Sequence, residues 1–146
     1  MKFDYPEDEE FFADILCDGD TKALEHKFKD YFDFRDPVTK RNEFNLTSKK
    51  ICGELKIKYE GKCQLRLSPK CEADKNFQVD HIIPLSSNKL NKEIRKIKGP
   101  QGKKTSTQSF GSNHPKNLIL SCSECNSFKM NKIIPFRKTT NGIKFL

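Results

Sequence analysis

Two sets of side chains in this chain could do chemistry, and they interleave. Cys63, Cys71, Cys122 and Cys125 supply four thiols in two pairs. The second pair has the C-x2-C spacing with which a tight turn presents two sulfurs to one metal. The first pair is wider, with Pro69 inside it to help turn the chain back. Four sulfurs make a closed tetrahedral site, so a zinc ion held there would be structural. The competing reading is four ordinary buried cysteines. Cys17 and Cys52 are left over and read as small packing hydrophobes.

The second set is Asp80, His81 and Asn126. Hydrolysis of a phosphodiester needs a deprotonated water, a cation on the phosphate oxygens and stabilisation of the departing oxygen. An imidazole has the pKa range of a general base at neutral pH. A carboxylate and an amide carbonyl are hard oxygen donors that suit Mg²⁺ or Mn²⁺. Lys129 follows Asn126 by three residues, hence on the same helical face, where it can contact phosphate. One geometric condition applies. Neighbours on a regular strand point to opposite faces. Asp80 and His81 therefore reach one phosphate only if their strand bends or ends there, and Pro84 just beyond favours an end.

The elements that must position these groups are legible in part. Phe11, Phe12, Ile15 and Leu16 recur at helical spacing until Asp18-Gly19-Asp20 turns the chain, and Leu24, Phe28 and Phe32 continue on a second helix expected to end near Asp36-Pro37. Thr47 or Ser48 is expected to cap a third helix carrying Ile51, Leu55 and Tyr59, with Gly61 past its end. Phe77 to Ile83 reads as a strand and Leu118 to Leu120 as its short partner. Ser121 to Asn131 reads as a helix, with Ser121 and Glu124 at capping-box spacing. Asn141-Gly142 suggests a terminal hairpin. The expected organisation is an acidic, mainly helical segment 1–46, a core 47–132 with a long insertion 86–113, and a tail 133–146.

Charge divides along the same line. Residues 1–36 hold twelve Asp/Glu against five Lys/Arg, so the net charge of +8 is carried by the rest of the chain. A basic body of that kind is an electrostatic footprint for a polyanion. The insertion concentrates it, with Lys89, Lys92, Arg95, Lys96, Lys98, Lys103 and Lys104 against one acid, Glu93. It reads either as a phosphate-contacting arm or as a disordered insertion. Hydrophobic content of 34% against 33% charged implies a small core, which a metal would help to staple. No apolar run is long enough for a membrane span, and the acidic beginning of the chain lacks the order of a secretory signal. The expectation is a cytoplasmic protein whose cysteines serve metal rather than disulfides.

Val79–Ser86 (VDHIIPLS) followed by His114–Lys129 (HPKNLILSCSECNSFK) resembles the HNH endonucleases in their zinc-stabilised form. The likeness spans roughly 63–132, about half of the chain. It implies an α+β chain with a ββα-metal (His-Me finger) core, a structural zinc on the four cysteines and a preceding helical segment. It also implies that His81 is the general base, that Asp80 and Asn126 bind the catalytic Mg²⁺ or Mn²⁺, and that Asn117 braces the loop holding His81. Asn126 stands in the place of the family's final His, a substitution many members make. The wide Cys63/Cys71 spacing and the basic insertion depart from the family pattern.

The resemblance implies cleavage of DNA, double-stranded by preference, leaving 5′-phosphate ends, in a setting such as restriction or defence. A zinc-stapled nucleic-acid-binding module without chemistry is the alternative, although it gives the Asp80, His81 and Asn126 set no purpose. Residues 1–36 could dock a protein partner that aims the nuclease, mediate self-association, shield the basic cleft, or simply complete the core.

Overall fold

The computed structural model describes residues 3, 6–72, 74–85 and 109–129, together with the backbone of 136–139 and 142–145. Helix α1 spans Pro6–Cys17 and α2 spans Thr21–Phe28. The turn between them uses Asp18 and Gly19 at φ of 52° and 87°. Asp20 caps α2 by accepting from the backbone N–H groups of Lys22 and Ala23, both at 3.0 Å. The second helix is shorter than its apolar spacing predicts: a single 3-10 turn, Lys29–Tyr31, ends it, and Phe32 is extended.

Helix α3 runs Pro37–Lys58, beginning ten residues before the expected start. Asp36-Pro37 opens a helix here rather than closing one. The Asp36 carboxylate accepts from Val38 N–H at 2.7 Å, and a proline is at home in the first turn, where its missing N–H costs nothing. The boundary at 46/47 therefore falls inside one continuous helix. Residues 1–46 are also not a separate layer: Phe12, Leu24, Phe28 and Tyr31 share a buried cluster with Cys63, Ile82, Phe110 and Ile119. Phe3 and Phe12 each meet Phe32 edge to face, and Phe12 meets Phe110 likewise, with ring centroids 5.0–5.3 Å apart. Edge-to-face pairing of this kind adds to the hydrophobic term.

Strands β1 (Phe77–His81) and β2 (Leu118–Cys122) form an antiparallel pair, with Asp80 opposite Ile119 and His81 opposite Leu118. Helix α4, Ser123–Lys129, follows β2 directly. Ser121 is not its cap. It lies within β2, opposite Gln78, and its buried hydroxyl has no partner. A second antiparallel pair, β3 (Phe136–Thr139) and β4 (Gly142–Phe145), sets Thr139 opposite Gly142, the strand pairing of the expected terminal hairpin, while Asn141 lies outside the described residues. Among the described residues the chain is thus α+β, and no helix is long and apolar enough to cross a membrane.

The long connection from β1 to β2 leaves and returns through a closed stem. Phe110 N–H donates to the Leu85 carbonyl at 3.1 Å, Gly111 N–H to Pro84 at 2.8 Å, and the Ser109 hydroxyl to Leu85 at 3.0 Å. Gly111 is required here, because a Cβ would lie 1.9 Å from the Ile83 carbonyl oxygen. Phe32 bridges to Gly111, and Asp33 N–H reaches the Phe110 carbonyl at 2.8 Å. Lys40 of α3, fully buried, fastens the assembly: its ammonium donates to the carbonyls of Asp33, Leu85 and Gly111 at 2.5, 3.2 and 2.6 Å. One amine thereby ties the N-terminal segment to both sides of the stem.

Candidate metal centre and phosphodiester site

The four cysteines converge. The Sγ atoms of Cys63, Cys71, Cys122 and Cys125 all lie within 4.8 Å of one another. Those of Cys71 and Cys122 are 3.8 Å apart, the sulfur–sulfur distance of a tetrahedron with metal–sulfur bonds of about 2.3 Å. Backbone donors surround the sulfurs. Cys125 Sγ accepts from Leu67 and Ser68 N–H at 3.3 and 3.5 Å, and Cys122 Sγ accepts from Glu72 and Cys125 N–H at 3.4 Å each. Donors on a sulfur favour the thiolate, the form that binds metal. Burial alone would push the Cys122 thiol up, but these N–H groups hold it down at about 7. Cys71 and Cys125 are pushed upward, burial being the largest cause in each. The wide Cys63/Cys71 loop has a physical use: its extra residues supply the Leu67 and Ser68 donors, with Arg66 at a φ of 47° letting the chain turn. The set can hold one ion such as zinc.

That cluster fixes where α4 starts, and α4 lies across one face of β1. Asn126 donates its amide to the Gln78 side chain, and one turn on Lys129 meets Asp80. Gln78 and Asp80 are alternate residues and so share this face. Asp80 is mostly buried, and its Oδ2 has no directed hydrogen bond. The Lys129 ammonium stands 3.1 Å from that oxygen as an ion pair and donates to the His81 carbonyl at 3.0 Å. Burial pushes the Asp80 carboxyl up, against the pull of Lys129. The cation beside this carboxylate is therefore the Lys129 ammonium, and a metal ion at Asp80 would share or displace it. The Asn126 bond uses the amide nitrogen, leaving a carbonyl oxygen as the hard donor of that group.

Lys129 requires a correction. It does not offer its charge to a polyanion: the side chain is 1% exposed, held by Asp80 and the His81 carbonyl. The other predicted phosphate contacts, Lys89, Lys92, Arg95, Lys96, Lys98, Lys103 and Lys104, lie outside the described residues.

His81 is the last residue of β1 and packs on the opposite face, towards α3, where its ring meets Phe44 edge-on at 4.7 Å. The strand ends at His81, two residues short of the expected Ile83, yet this does not bring the pair together: Asp80 faces Lys129 and His81 faces Phe44, on opposite faces of the strand. Asn113, which sequence reasoning missed, holds the ring. Its Nδ2 donates to the Lys40 carbonyl at 2.8 Å, which can only accept. Its Oδ1 therefore faces His81 Nε2, also at 2.8 Å, and that nitrogen must carry the hydrogen. The proton-accepting lone pair is left on Nδ1. Burial pushes the imidazole down to about 4, the Asn113 bond opposing and the Arg41, Lys129 and Lys40 charges adding to the shift. It is neutral at pH 7. No spacing rule points to Asn113; only its position at the foot of the stem does.

Asn117 is fully buried and clamps the segment beyond His81. Its Oδ1 accepts from Ile83 N–H at 2.8 Å, and its Nδ2 donates to the carbonyls of Ile83 at 3.0 Å and Ser112 at 2.8 Å. His114 is exposed and caps the turn before β2 by accepting from Lys116 N–H at 3.2 Å. Comparison with protein-family models, with curated proteins and with solved structures gives no match.

Proposed function

We propose that this chain is a metal-dependent endonuclease of the HNH type that hydrolyses phosphodiester bonds in DNA. The observation that carries the reading is a neutral imidazole, locked by one nitrogen, at the residue after a mostly buried carboxylate that Lys129 pairs. A binding module gives the locked imidazole no purpose, and burying that ring costs stability. In this reading His81 Nδ1 takes the proton from the attacking water. The pKa of about 4 keeps that atom unprotonated at pH 7, and the negative charge of a bound phosphodiester raises its basicity. Asp80 and Asn126 would hold a Mg²⁺ or Mn²⁺ ion, which supplies charge neutralisation on the phosphate oxygens. Asn117 keeps the chain beyond His81 in place, Asn113 sets the tautomer, and a zinc ion on the four cysteines anchors α4. The sequence resemblance supports the same assignment.

The experiment is cleavage of supercoiled plasmid by purified protein in Mg²⁺ or Mn²⁺, with an EDTA control and with His81→Ala. Cleavage is expected in the wild type only, while the variant still binds DNA. Absence of cleavage by folded, zinc-loaded wild type under all these conditions would refute the enzyme. The second reading is a zinc-stapled DNA-binding module, favoured by the ion pair with which Lys129 already neutralises Asp80.

A further inference from the structure

The outer edge of β1 is free of strand partners among the described residues, because its one neighbour is β2. Beside that edge a groove of about 200 Å³ separates β1 from α3, lined by Phe44, Ser48, Lys49, Cys52, Phe77 and Gln78. Two of these residues touch the site described above. Phe44 packs on the His81 ring, and Gln78 takes the Asn126 amide. The groove therefore leads past a neighbour of the imidazole on one side and a neighbour of the amide oxygen on the other.

Three cations lie along the same side of α3. Arg41 sits over the Phe44 ring at 5.9 Å, Lys49 lines the groove, and Lys56 sits over the Phe77 ring at 5.8 Å. Their spacings of eight and seven residues keep them on one side of a helix and set them about 12 and 10 Å apart along it. None has a carboxylate partner among the described residues. An aromatic seat restrains a long cationic side chain and reduces what it loses on binding. The Lys129 ammonium is buried and unavailable, so among the described residues this is the row of exposed charge that borders the site.

We propose that this side of α3 is a phosphate track, along which one sugar–phosphate strand of DNA lies in the groove with Arg41 nearest His81. The inference rests on the nuclease reading for its substrate but not for its test. The probe is a short duplex oligonucleotide in divalent-free buffer, bound by the zinc-loaded full chain and followed by fluorescence anisotropy over a range of salt. Each lost phosphate contact makes the slope of log K against log salt shallower by roughly 0.9. Arg41→Gln with Lys49→Gln and Lys56→Gln should reduce the slope by roughly 2 to 3 and weaken binding accordingly. Lys49→Gln alone, at an exposed position where folding is not at stake, should reduce it by about one. Lys22→Gln on α2 should leave it unchanged.

An unchanged slope in a folded Lys49→Gln protein overturns the track. So does an equal loss in Lys22→Gln, which would make the attraction diffuse. A wild type that binds with the expected slope but never cleaves in Mg²⁺ keeps the track and loses the nuclease. Cleavage with an unaltered slope in the triple variant does the reverse.

Discussion

Lys40→Met removes the one side chain that joins the N-terminal segment to both sides of the stem, and its cost can be worked from the three carbonyls involved. The Leu85 carbonyl keeps two other donors, Phe110 N–H and the Ser109 hydroxyl, so its loss is small. The Gly111 and Asp33 carbonyls are left without the ammonium that met them at 2.6 and 2.5 Å. A buried carbonyl stranded in this way costs about 1–3 kcal/mol, or about 4 kcal/mol for two. Methionine regains about 1 kcal/mol by burying an apolar chain where a charge had been desolvated. The net expectation is a loss of about 3 kcal/mol, a large share of the stability of a small domain. Urea denaturation followed by circular dichroism, with zinc present throughout, measures it. A loss below about 1 kcal/mol with an unchanged m-value would refute the reasoning, since it would mean the stem does not depend on this amine.

Other expectations follow from the same contacts. Gly111→Ala should destabilise by several kcal/mol or prevent folding, because its methyl would meet the Ile83 carbonyl at 1.9 Å; a melting temperature close to wild type would contradict that packing. A strong zinc chelator, or Cys71→Ser, should lower the melting temperature and release one zinc per chain, measured by a colorimetric dye; zinc-free protein of equal stability would deny the staple. The native pKa of His81, about 4, lies below its ordinary 6.5, so the unfolded chain takes the proton first. Its contribution is therefore intact above 6.5 and lost as pH falls towards 4. At pH 5 the wild type should have lost about 2 kcal/mol more than His81→Gln in divalent-free denaturation, and parallel curves would refute a neutral buried imidazole. Asn113→Ala should let the ring sample both tautomers, visible in imidazole nitrogen shifts, and reduce kcat about 10- to 100-fold with little change in KM; an unchanged nitrogen spectrum would remove Asn113 from its role.

What could be read in advance was local. The C-x2-C pair, the strand around Val79 to His81, the apolar β2 and the terminal strand pair each depend on neighbours in sequence, and the structure places all of them close to expectation. The structure departs from that local pattern where one signal serves two purposes. Asp36-Pro37 both ends and starts helices, and only the packing of Phe44 against His81 and the reach of Lys40 to the stem decide which. Ser121 had the spacing of a cap but was already committed to β2. Lys129 had the sequence position of a phosphate contact, yet its length lets it fold inward onto Asp80. Asn113 was illegible because its two partners come from distant elements, 32 and 73 residues away.

The stem at 82–85 and 109–111 bears on how such a chain can diversify. Its hydrogen bonds close the core before the chain departs, so whatever runs from one side to the other is a guest on a finished host. Lengthening a guest of this sort adds only a slowly growing closure entropy. The same framework could therefore carry arms of quite different length and charge, and exchange one target for another, without disturbing the ion-anchored helix or the imidazole beneath.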